Sequence, residues 1–117
     1  MHLPFILIME VNAMEPQSRC YPYERSIVIN ALYDTIDALG LSLDSANSER
    51  GTLIVSDTKH FGSLRIALSG EGRPVCTQVV IFSHDSDLSL AKMWSPVILD
   101  ELSGTIQKAS HIERRCQ

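Results

Sequence analysis

A chain of 117 residues, 44% hydrophobic and 21% charged, is long enough to bury one core and too apolar to stay disordered. Its formal charge of −4 excludes an overall positive field that would draw in phosphate backbones or anionic lipid, so no nucleic-acid partner is expected. Cys20, Cys76 and Cys116 are odd in number and lack CxxC spacing, which argues against a disulfide framework or zinc knuckle and for a reducing, cytoplasmic setting.

The chain opens on an apolar run, Leu3 to Met9, and Val11-Asn-Ala13 imitates the small-residue site that signal peptidase cuts. No Lys or Arg precedes the run, Glu10 follows it, and it is too short to cross a bilayer. Export is therefore disfavoured and no membrane span is expected. Residues 1–13 are read as an edge strand or as lying upstream of a start at Met14, and residues 14–117 as a single domain.

From Glu24 to Leu39, the apolar residues Ile27, Val28, Ala31, Leu32, Ile36 and Leu39 recur at three- and four-residue spacings. This predicts an amphipathic helix. Glu24 suits its positive N-terminal end, and Gly40 can take the left-handed conformation that closes it. Asn30, Asp34 and Asp37 fall on the outer face and read as solvated surface.

The period then changes to two. Leu41-Ser-Leu-Asp44 predicts a strand that ends before the polar turn Ser45 to Gly51. Thr52 to Ser56 and Ser63 to Leu68 predict two further strands, joined across Asp57 to Gly62. Leu64, Ile66 and Leu68 should share one sheet face, with Arg65 and Ala67 on the other. Gly70-Glu-Gly-Arg-Pro74 reads as a turn into Val75 to Phe82, the most apolar strand and the expected central one. Cys76 within it reads as a small buried hydrophobe.

After Ser83, Ser86 or Asp87 can cap a short helix through Leu88, Leu90, Ala91 and Trp94. Ser95-Pro96 is expected to restart the helix, because proline favours a first helical position, and Ile98, Leu102, Ile106 and Ala109 supply its inward stripe. Arg114 and Arg115 are expected beyond its end. The sum is an α+β fold: an antiparallel sheet of about four to five strands with two main helices packed on one face.

The run Ala31-Leu-Tyr-Asp-Thr-Ile-Asp-Ala-Leu-Gly40, followed by Leu41 to Asp44 and Gly51-Thr-Leu-Ile-Val55, resembles small α/β modules of bacterial outer-membrane-assembly lipoproteins and of uncharacterised bacterial families. The likeness covers about Glu24 to Leu68 and implies a fold, with a helix ending in Leu-Gly feeding a strand, a turn and a strand. Those lipoproteins carry a cysteine after an export signal, which this chain does not show, so their envelope role does not follow.

Chemistry concentrates at His84-Asp85-Ser86-Asp87, where an imidazole, a hydroxyl and two carboxylates meet at a strand end. His84, Asp85 and Asp87 are the catalytic candidates of a small hydrolase-like or metal-assisted enzyme, while the bland alternative is a turn and a helix cap. Cys76 cannot activate with His84 across one straight strand, because eight positions separate them by about 26 Å. His60 and His84 have no metal-ligand spacing, and Gly70-x-Gly72 lacks the context of a nucleotide loop, so neither metal nor cofactor is expected. Tyr21, Tyr23 and Trp94 are candidate ligand-binding aromatics, or core. The preferred function is a non-enzymatic module that binds a protein or small ligand through its sheet or edge. The partner is unknown, and a helix face bearing Ile29 and Tyr33 would suit a homodimer.

Overall fold

The computed structural model describes residues 17–59, 62–71, 75–84 and 88–116; the expected strand or leader at 1–13 lies outside them. Among the described residues seven elements follow in order: β1 (Gln17–Tyr21), α1 (Arg25–Ala38), β2 (Ser42–Asn47), β3 (Thr52–Asp57), β4 (Gly62–Glu71), β5 (Cys76–Ser83) and α2 (Ser89–Cys116). The strands form one antiparallel sheet, ordered β1-β5-β4-β3-β2. With two helices this is the α+β architecture that the periodicities predict.

Alternation decides which sheet face is covered. Leu53 and Val55 of β3, Leu64, Ile66 and Leu68 of β4, and Val79 and Ile81 of β5 are buried, and their neighbours in each strand are less so. Val28, Leu32 and Ile36 of α1 join Ile98, Leu99, Leu102 and Ile106 of α2 in the same core. Each such side chain contributes roughly 1.5–3 kcal/mol when fully buried. Both helices therefore lie on one side of the sheet.

Local chemistry sets the joints. α1 closes in a Schellman arrangement: Gly40 donates its N–H to the Asp37 carbonyl (3.1 Å) and Leu41 donates to Ile36 (3.1 Å). Gly40 has φ +74°, which glycine adopts without steric penalty. At the other end of the sheet, Tyr21 donates its hydroxyl to the Leu99 carbonyl (3.0 Å), and Arg19 Nη1 donates to Asp100 Oδ1 (3.2 Å) and Ser103 Oγ (3.1 Å). These contacts seat β1 against α2. The exposed Arg19–Asp100 ion pair contributes about 1 kcal/mol at most, so the buried Tyr21 ring and hydroxyl do more of the seating.

Several expectations are corrected. β1 falls in a stretch with no strand signal, because QSRCY owes its form to pairing with β5 (Ser18 opposite Val80, Cys20 opposite Gln78). With β1 outside it, β5 is an inner strand and β4 takes the centre. The strand expected at Leu41 to Asp44 is β2, but it runs on to Asn47, into the expected turn; all six of its residues are exposed, so Ser45-Ala-Asn47 has no apolar pattern to mark it as strand. Ile29 is buried at 7% exposure and Tyr33 packs on the core, which removes them as a free dimer face. Cys76 is half-buried rather than buried.

The largest correction is α2. One helix passes through Ser95 and Pro96 and continues past Arg114 and Arg115 to Cys116. An internal proline costs about 3 kcal/mol, but Leu90, Ile98, Leu99 and Leu102 are all buried along this helix and together outweigh it. The carbonyl that Pro96 leaves without an amide donor belongs to Lys92, and both residues are exposed, where water can satisfy it.

Candidate functional site

Three strand ends meet at one edge of the covered face: the end of β3, the start of β4 and the end of β5. Asp57, the last residue of β3, is buried at 6% exposure. Its Oδ2 accepts the Trp94 indole N–H (2.8 Å), and its Oδ1 accepts the Lys59 amide (3.0 Å). The carboxylate therefore fixes the turn after β3 and anchors the first turns of α2. Gly62 opposite it admits Leu90: a Cβ there would stand 2.5 Å from Leu90 Cδ2.

His84 follows β5 at this same end. Its amide donates to the Ser63 carbonyl (3.1 Å), extending the β4–β5 ladder, and the residue is exposed. Asp85, Ser86, Asp87 and His60 lie outside the described residues, as do Gly72, Arg73 and Pro74. Trp94 and His84 thus share one end of the sheet, while Tyr21 and Tyr23 sit at the other, where Thr77 Oγ1 donates to the Tyr23 carbonyl (2.7 Å). Tyr21 is buried with its hydroxyl engaged, and Tyr23 and Trp94 are partly buried against the core.

Asp57 was readable only as part of a connection. Its signal lies in Thr52-Leu-Ile-Val-Ser-Asp57, where alternation puts the carboxylate on the same side as Leu53 and Val55. An acidic residue at an inward position demands a buried donor, and the indole supplies one. Ser95 is also fully buried, and its hydroxyl has no hydrogen-bond partner among the described residues.

The opposite sheet face is built differently. Register aligns Ile54, Arg65 and Phe82 in one row, and Thr52, Ala67, Val80 and Ser18 in the next. Ile54, Ala67, Val80 and Phe82 are half-buried and Arg65 is exposed. The Arg65 guanidinium lies over the Phe82 ring, 5.7 Å from its centroid, a cation–π contact of about 0.5–1 kcal/mol at an exposed site. Among the described residues no helix covers this face, and the result is a pleated surface with an apolar centre and hydroxyls from Ser18, Ser63 and Ser69 around it.

Among the described residues no group of three or more His, Cys, Asp or Glu is placed to hold a metal ion, and no helix is long and apolar enough to cross a membrane. No family model matches the chain, and a comparison with curated proteins found no match.

Proposed function

We propose that the protein is a non-enzymatic binding module that engages a partner protein through the outer face of its sheet. The observation that carries this reading is the one-sided packing: α1 and α2 share one face, and the row Ile54-Arg65-Phe82, with Val80 and Ala67 beside it, stands on the other. A partner suited to this surface supplies apolar atoms to Val80 and Phe82 and a carboxylate to Arg65, since central aromatic and arginine side chains dominate protein recognition. The exposed position of His84, with its amide spent on the ladder, supports a strand-terminating role over catalysis. Three cysteines without a disulfide or zinc spacing support a cytoplasmic setting.

Affinity capture with four immobilised proteins tests the reading: wild type, Val80→Asp, Arg65→Glu, and Asp34→Ala on the exposed face of α1. A partner retained by wild type and Asp34→Ala, and reduced at least about tenfold by both sheet variants, supports it. Retention indifferent to Val80→Asp and Arg65→Glu, with all four proteins folded by circular dichroism, overturns it.

A further inference from the structure

The apolar centre of the outer sheet face begins where the chain enters the sheet. Gln17 stands opposite Ile81, and the next residue of β5, Phe82, opens the row that Arg65 and Ile54 continue. The residues before β1 include Leu3-Pro-Phe-Ile-Leu-Ile-Met9, a run without a charged side chain, and Glu10 directly follows it. We propose that Leu3 to Met9 docks on the outer face of its own sheet, over Val80, Ala67 and Phe82, with the Glu10 carboxylate at Arg65. It is an internal occupant that a partner must displace.

Reach, charge and local concentration select this occupant. Three strand spacings of about 4.8 Å separate β1 from β3 in the order β1-β5-β4-β3, roughly 14 Å in all, whereas the seven residues Glu10 to Pro16 extend to about 23 Å. The run therefore reaches every strand that contributes to the apolar centre. Glu10 and Glu15 are the acidic residues before β1, and no Lys or Arg stands among them. Arg65 is the exposed cation of the row, so the charges are complementary. A tether this short holds the run at a local concentration on the order of millimolar, which favours it over the same segment of a second copy. The run meets one face alone, so its release leaves sheet and helices folded. Its regulatory role rests on the partner-binding reading, whereas the docking itself is measured on the chain without a partner.

The test is methyl NMR of the full chain, with isotope-filtered Overhauser spectra on mixed labelled and unlabelled protein to separate contacts within a chain from contacts between chains. Expected are contacts within one chain from Ile6, Leu7 or Ile8 methyls to Val80 or Phe82. They should vanish in Ile6→Asp/Ile8→Asp and weaken in Glu10→Arg, while the contacts of buried Val79 with the helices persist. A synthetic peptide of residues 1–13 is the second probe. If the run occupies the face about nine-tenths of the time, the peptide should bind Ile6→Asp/Ile8→Asp about tenfold more tightly than wild type, and adding Val80→Asp should abolish that binding. Contacts of the run with the free edge of β1, contacts between chains, or no contact in the folded wild type overturn the proposal. So does a peptide that binds wild type and Ile6→Asp/Ile8→Asp equally. The affinity capture above reads the partner separately, so a failed docking and a failed partner reading are told apart.

Discussion

Gly51 answers two constraints at once. Its φ is +71°, and a Cβ there would stand 2.7 Å from the Leu68 carbonyl oxygen, which is backbone and cannot swing away. The same residue donates its amide to Asn47 (2.8 Å) and accepts from the Leu68 amide (2.7 Å), so the β2–β3 turn is tied to β4 through it. Gly40 shares the left-handed conformation, at φ +74°, but nothing lies within 4 Å of where its Cβ would be. The pair separates conformational strain from steric conflict. Gly40→Ala should lower stability by about 1–2 kcal/mol, the left-handed penalty alone. Gly51→Ala should lower it by about 3 kcal/mol or more, since strain and backbone displacement add. Urea midpoints of the two variants check this, and equal losses would mean that the close approach is not felt. Of these two glycines, only Gly40 was readable, because the end of an apolar helical stripe announces its cap, whereas the contact at Gly51 depends on a strand that joins from elsewhere.

Among the elements, α2 best shows how burial overrides a local signal. Ser95-Pro96 carries a strong helix-start signature, yet the helix is already two turns long at that point. Pro96→Ala restores the amide that the Lys92 carbonyl lacks and removes the ring from the preceding turn. It should raise stability by about 1–3 kcal/mol, read as a higher urea midpoint with an unchanged denaturant slope. A fall in stability would show that the proline's restriction of the unfolded chain outweighs the lost hydrogen bond. The same contrast explains which elements were legible. α1, β3, β4 and β5 each bury one face, so periodicity of 3.6 or 2 is written into their residues. β1 and β2 are the sheet edges: the alternation Leu41-Ser-Leu-Asp44 marks only the start of β2, whose remaining residues are polar and exposed, and β1, with no period to show, follows from pairing with the distant β5. The candidate site divides in the same way: Trp94 was visible as an aromatic on an apolar stripe, but its partner Asp57 required the faces of β3 to be known.

For the molecule as a whole, sidedness is the organising property, and neighbouring valines on β5 report it directly. Val79 is fully buried beneath the helices, while Val80 stands half-buried on the outer surface. Val79→Asp places a carboxylate in the core without a partner and should abolish cooperative folding. Val80→Asp should cost only about 1 kcal/mol, the range of strand preference for a surface position. Thermal melts followed by circular dichroism distinguish them; comparable damage from both would mean that the outer face is covered as well.

The sheet order also bears on how the chain is made. Among the described strands β1 is made before the others, yet its neighbour in the sheet is β5, so the four intervening elements and β5 itself must be translated before it can pair. The β2-β3-β4 meander and α1 can associate earlier through contacts close in sequence, leaving the outer edge of β4 open until β5 arrives. Closing the longest loop last makes β1–β5 pairing the slow, high-contact-order step. A ribosome stalled before β5 would display an unpaired, apolar strand edge, the kind of surface that chaperones hold and that aggregation exploits.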